Sequence, residues 1–297
     1  MTTVELSSRL PHLPIFEYGR DNCGAPEPTL NSGLANILLK QSPFHAWYAH
    51  PKLNPDWEPR ASNDAMDLGS AAHAVFIEGD TERICAIDAP DWRTSAAKER
   101  KAAAQAAGRI PLLVADAARV IDIVAEAQVA LAESPDLRDL GVCRAEETYV
   151  WAAEYGGRTA WLRCRPDWVS ADFRVIVSYK TTAQIAEPLT YLRTMLNAGH
   201  EMQAAFELAG VEAVTGVRPE SYIWIVSEVQ PPHAVALIGL SNTMRALGGA
   251  RMDAAVLRWA ECLEAGPEPE NWPGYPARVA YVEPPSWAMR EMEMMDV

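Results

Sequence analysis

The segment from Arg158 to Lys180 limits the fold of this chain more than any other. Arg158–Val169 has strand character and contains Arg165-Pro166-Asp167 near its end. The turn Ser170-Ala171-Asp172 then leads into a second strand, Phe173–Tyr179, which runs on into Lys180-Thr181-Thr182. Residues two apart on a strand share a face, so Ser178 and Lys180 point the same way. A tight connection between neighbouring strands brings Asp167 to the same patch. A carboxylate, a second ligand position at 178 and a lysine on one patch suit metal-assisted phosphodiester hydrolysis. The carboxylate holds a hard cation, the cation acidifies a bound water and neutralises phosphate charge, and the lysine orients or deprotonates that water. Pro-Asp is equally a turn signal, and a lysine there is equally a solvated strand end.

The rest of the chain frames this pair of strands. Asn31-Ser32 followed by Leu34, Ile37 and Leu38 predicts a first helix, and Asn63-Asp64 a second that runs to Gly79. Gly69, Ala71 and Ala72 would let that second helix pack closely on a neighbour. Residues 95–107 and 112–133 read as helices, and 187–210 and 241–264 as two more. Glu147–Ala153 pairs with Arg158–Val169 through the hairpin signal Tyr155-Gly156-Gly157, and Ser221–Val226 and Ala234–Gly239 flank Pro231-Pro232. Helices, three strands, helix, two strands and helix, in that order, predict an α+β fold with a mixed β-sheet flanked by helices and a helical N-terminal part. Residues 1–30 read as an irregular arm and 31–265 as a single domain. Residues 266–297 read as an extended strap with six prolines, docked through Trp272, Tyr275 and Trp287.

Composition narrows the function classes. The 297 residues are 49% hydrophobic and 22% charged, enough to bury a sizeable core. No apolar run reaches the roughly 18 residues of a membrane span, and the first residues lack the pattern of a secretory signal. The five cysteines form no CxxC pair, which argues against a disulfide framework or a zinc cluster. A cytoplasmic protein without a membrane partner is the expectation. A net charge of −14 opposes nucleic-acid binding in general. A local basic groove overcomes such a field, and an acidic body gathers divalent cations.

Four motifs occur in order along the chain: Gly69-Ser70-Ala71-Ala72-His73, Arg165-Pro166-Asp167, Ser178-Tyr179-Lys180-Thr181-Thr182, and Gln203 within His200–Ala205. Together they resemble the PD-(D/E)XK nuclease superfamily, and within it the exodeoxyribonuclease VIII (RecE-type) exonucleases of phages and prophages. The resemblance extends over roughly residues 31–290 and implies a restriction-endonuclease-like core. It implies that His73 and Asp167 are metal ligands with position 178 and the backbone carbonyl of Tyr179, and that Lys180 positions the attacking water. Gln203, Thr181 and Thr182 would lie around these groups or touch phosphate. Arg163 and Arg165 flank the metal strand and either hold phosphates or are solvated strand faces. Lys98, Arg100, Lys101 and Arg109 form another candidate DNA patch.

The implied activity is Mg²⁺-dependent digestion of one strand of linear double-stranded DNA from an end, 5′→3′, with Mn²⁺ as a substitute. The product is a 3′ overhang for a single-strand annealing protein in phage-type recombination. A ring-shaped homo-oligomer around DNA is implied as well. The departure is Ser178, which stands where the family has Asp or Glu. A neutral hydroxyl is a poor Mg²⁺ ligand, so this chain is expected to be inactive or impaired, either by deliberate substitution or as a natural copy. The alternative is a non-catalytic DNA-end-binding or regulatory protein on the same fold. Glu146 and Glu147 are either a substitute carboxylate or, as the closer expectation, exposed charges at the start of a strand.

Overall fold

Polar caps set the start of most of the long helices, because the first turn of a helix leaves backbone N–H groups without partners. In the computed structural model, which describes residues 7–59 and 63–295 apart from the side chains of residues 287 and 291–293, strand β1 (Ser7–Leu10) and the short helix α1 (Ile15–Gly19) come first. Asn31 caps α2 (Ser32–Lys40), Ser42 caps α3 (Pro43–Tyr48), and Asn63 caps α4 (Asp64–His73), which passes into a π-helical turn at Ala74–Glu78. Next come β2 (Ile84–Ile87), α5 (Ser95–Ala106) capped by Thr94, β3 (Ile110–Leu113) and α6 (Val114–Glu133). The strand-rich centre holds β4 (Cys143–Ala145), β5 (Thr148–Tyr155), β6 (Arg158–Cys164), β7 (Trp168–Ser170) and β8 (Val175–Thr182). After it follow α7 (Pro188–Ala198), α8 (His200–Thr215), β9 (Ser221–Glu228), β10 (Val235–Gly239), α9 (Asn242–Ala265) and α10 (Ser286–Met295).

The main sheet has the order β10-β9-β8-β7-β4, parallel between β8 and β9 and antiparallel elsewhere. A second, antiparallel sheet has the order β1-β5-β6, and β2 and β3 form a parallel pair. The expected mixed sheet flanked by helices is therefore present. Alternation along β9 sends Tyr222, Trp224 and Val226 into one core with Phe206 of α8 and Trp151 of β5. Ile225, with Val177 and Tyr179 of β8, enters the other core with Phe76, Val120 and Ile123. The main sheet thus lies between α8 on one face and α4 and α6 on the other. Truncating Phe206, which is fully buried, to alanine costs about 3–5 kcal/mol by the usual scale of aromatic core deletions.

Several sequence expectations need correction. The strand expected over Arg158–Val169 is two strands in two sheets, because Pro166 has no N–H to continue a ladder. Arg165-Pro166-Asp167 is the crossing between those sheets. The helix expected over 187–210 breaks at Gly199, whose φ of 77° is left-handed and whose missing Cβ would lie 2.8 Å from Asn36 Oδ1. The start of the helix expected over 112–133 belongs instead to β3. Residues 7–10 are not an irregular arm, since they pair with β5. The tail is not extended throughout, since it closes with α10. Trp272 is buried against Trp259, with ring centroids 5.0 Å apart, whereas Tyr275 is largely exposed; the expected docking of Trp287 lies outside the described residues. Among the described residues, no helix is long and apolar enough to cross a membrane.

Candidate active site

The crossing at Arg165-Pro166-Asp167 places Asp167 beside an unpaired edge of β8. β7 pairs with β8 only at Trp168↔Val177 and Val169↔Ile176, so the edge beyond Val177 is free of that ladder. Asp167 fills it. Its Oδ2 accepts from Tyr179 N at 2.7 Å and from Ser178 Oγ at 2.8 Å. The N–H and C=O of a strand residue leave on the same edge, so the Tyr179 carbonyl also faces the Asp167 side. The Tyr179 ring packs into the opposite layer, 4.6 Å from the Phe76 ring.

α4 delivers His73 from the other side. Gly69, one turn earlier, allows the close approach: a Cβ there would stand 3.0 Å from Thr181 Oγ1. Ala71 and Ala72 are fully buried in the same contact. His73 Nε2 lies 3.2 Å from Asp167 Oδ1 and 3.3 Å from Glu146 Oε1. Glu146 is therefore not a surface charge at the start of a strand. Its backbone is left-handed, with φ 56°, and its N–H is held by Asp167 O at 3.1 Å. Such strain in a non-glycine residue persists where the surroundings impose it, often at functional positions. Glu147 points elsewhere and accepts from Tyr149.

Each charge in the group follows from its neighbours. Burial and the Asp167 charge raise the Glu146 carboxyl, and they outweigh His73 and Arg165. Burial disfavours a charged His73, but its hydrogen bond to Asp167 and the two carboxylates prevail and raise its pKa. Burial also works against ionised Asp167, yet Lys180, His73 and the Tyr179 N–H together hold it far below the usual range. Lys180 Nζ stands 4.0 Å from Asp167 Oδ2.

His73, Glu146 and Asp167 each offer a ligand atom, and these atoms lie within 4.8 Å of one another. Two carboxylates and one imidazole, with a carbonyl on the same edge, form a donor set that fits Mg²⁺ or Mn²⁺. The residues line a cleft of about 760 Å³ together with Gly69, Arg165, Lys180, Thr181, Gln203 and Glu207. Glu207 was not apparent from the sequence. Its signal is the spacing Gln203…Glu207, one helical turn on a single face, and Gln203 Nε2 donates to Glu207 Oε1 at 2.8 Å. Burial and the Asp167 charge push the Glu207 carboxyl up to about 7.

The expected DNA contacts fare less well. Arg163 is 1% exposed and bound to Asp21 Oδ1 at 2.7 Å and Thr29 O at 3.0 Å, so it is a core ion pair and cannot meet phosphate. Arg165 is held by Glu146 and by Leu13 O at 2.6 Å, and its place is to orient that carboxylate. Thr182 is buried, and its Oγ1 accepts from Gln184 N at 3.0 Å; Thr181 does line the cleft. In the α5 patch, Lys101 pairs with Asp64 at 2.6 Å, and Arg109 donates to Ile84 O at 2.7 Å.

Residues 38–282 match a family model described as a PDDEXK-like domain of unknown function (DUF3799). No curated protein matches. Among solved structures, a candidate exonuclease from Eubacterium rectale superposes with a TM-score of 0.55 at 14% identity, covering 82% of each chain. At that identity the likeness is one of fold. Weaker similarities, which carry no argument, are to SSO0001 (TM-score 0.30, 13% identity, 71% of this chain and 88% of that one) and to Rai1 of Scheffersomyces stipitis (TM-score 0.28, 9% identity, 82% and 62%).

Proposed function

This chain belongs to the PDDEXK-like family DUF3799, and on that premise we propose that it is a divalent-metal-dependent nuclease acting on the ends of linear double-stranded DNA. The observation that carries the reading is the meeting of His73, Glu146 and Asp167 beside Lys180 at one cleft. His73, Glu146, Asp167 and the Tyr179 carbonyl would hold Mg²⁺, or Mn²⁺ in its place. A bound cation supplies a water of lowered pKa and neutralises charge on the scissile phosphate. Lys180, a cation beside Asp167, orients the attacking water and offsets negative charge on the phosphate. Arg165 fixes the Glu146 carboxylate, and the Ser178 and Tyr179 donors fix that of Asp167.

Digestion of one strand in the 5′→3′ sense, a 3′ overhang passed to a single-strand annealing protein, and a ring-shaped homo-oligomer in the cytoplasm complete the proposal. Ser178 alone favours a second reading, a DNA-end-binding protein without hydrolysis. Linear duplex labelled at either 5′ or 3′ ends, compared with closed circular duplex in Mg²⁺, tests the proposal. Release of 5′ label from linear duplex alone supports it. Equal cleavage of circles contradicts the end requirement, and binding of ends without cleavage supports the second reading.

A further inference from the structure

Ser178 is where the site lacks a carboxylate, and across the cleft the structure supplies one. Glu207 of α8 is 3% exposed and lines the same cleft as Asp167 and Lys180. Its Oε2 accepts from the Tyr222 hydroxyl at 2.8 Å. Ser178 donates to Asp167 Oδ2 at 2.8 Å. Asp167, Lys180 and Glu207 therefore line one cleft, with Tyr222 of β9, the strand beside β8, holding Glu207 there.

A carboxylate at this place needs a reason. Its hydrogen-bond partners, Gln203 and Tyr222, are neutral. Both need only an acceptor, and a glutamine carbonyl would serve them without burying a charge. Asp167 repels Glu207 as well, and Lys180 offsets only part of that repulsion. A divalent cation is the kind of group that turns two opposed buried carboxylates from a cost into a binding site.

We infer that Glu207 supplies from α8 the carboxylate function that position 178 lacks, binding the divalent cation directly or through one of its waters. The chain is then a competent nuclease with its acidic group carried on a helix rather than on the strand. This inference rests on the nuclease reading of the site.

Mn²⁺ titration calorimetry on the full chain, paired with hydrolysis of linear duplex, tests it in the unaltered chain, Asp167→Ala, Glu207→Gln and the double variant Ser178→Asp/Glu207→Gln. Glu207→Gln is expected to weaken Mn²⁺ binding by about 10- to 100-fold and to abolish hydrolysis. The double variant is expected to recover most of both. Glu207→Gln binding Mn²⁺ as tightly as the unaltered chain overturns the inference, and so does a folded double variant that recovers neither property. Equal affinity in the unaltered chain and Asp167→Ala removes the nuclease reading itself, whereas loss in Asp167→Ala but not in Glu207→Gln removes Glu207 alone. Should Glu207→Gln not fold, a crystal of the unaltered chain soaked in Mn²⁺ decides by position. Glu207 oxygen on the ion or on its water supports the inference, and Glu207 bound only to Gln203 and Tyr222 overturns it.

Discussion

His73 Nε2 stands 3.2 Å from Asp167 Oδ1, although one residue closes a helix and the other lies where the chain crosses between two sheets. With Glu146 at 3.3 Å, the imidazole bridges two carboxylates. A proton on His73 and a divalent cation answer the same need, so they compete for these groups.

This competition gives the metal-free protein a definite pH dependence. His73 is raised above its ordinary value, and Glu207 is raised to about 7. Both groups bind protons more tightly when folded. Their contribution is therefore complete below the unfolded pKa of each and is lost as pH rises through the folded value. The melting temperature of the chelated protein is expected to fall between pH 6.5 and pH 8, above the range in which the lowered His50 and His200 add stability as pH rises, and saturating Mn²⁺ should reverse the trend. Asp167, which is lowered, acts in the opposite sense but only in acid. A chelated melting temperature that rises steadily from pH 6.5 to pH 8 contradicts the assignment.

Glu146→Gln is expected to lower Mn²⁺ affinity by about 10- to 100-fold, on the scale seen when groups around a metal are altered. Calorimetric titration measures it directly. Affinity equal to that of the unaltered chain would return Glu146 to the status of a partner for Arg165 alone.

Much of this site was legible in the sequence. Asp167, Ser178 and Lys180 could be placed on one patch because strand periodicity and a short turn fix their faces. His73 and Gln203 followed from motif order. For Glu146 the sequence left a substitute carboxylate and an exposed charge both open, and Glu207 was not legible at all. Glu146 reaches the site through a left-handed backbone that no residue pattern announces. Glu207 reaches it because α8 crosses the face of β8 that carries Ser178, a tertiary fact. Arg163 was misjudged because its partner, Asp21, lies in a segment that reads as an irregular arm. The short strands β1 to β4 have three or four residues each, too few to show a period.

Arg163→Ala should act on stability. The substitution leaves Asp21 buried with its closest cation gone, a loss of about 3–5 kcal/mol for a broken buried pair. Denaturant unfolding measures the loss. In Ca²⁺, the salt dependence of duplex binding by the folded fraction should stay that of the unaltered chain. A variant of normal stability with a shallower salt slope would restore Arg163 as a phosphate contact.

Lys180→Ala is expected to retain Mn²⁺ binding while hydrolysis drops by about 10²- to 10³-fold, the usual loss when one preorganised donor to developing charge is removed. Single-turnover cleavage separates the two properties. Unchanged cleavage would place Lys180 outside the chemistry.

The most direct test of the central claim is release of acid-soluble nucleotides from linear duplex DNA by the unaltered chain in Mg²⁺, with chelator and Asp167→Ala as the two controls. The account predicts steady release that stops with chelator and falls to background in a folded Asp167→Ala protein. No release by the folded, Mg²⁺-saturated chain, or release that continues unchanged in Asp167→Ala, would contradict it.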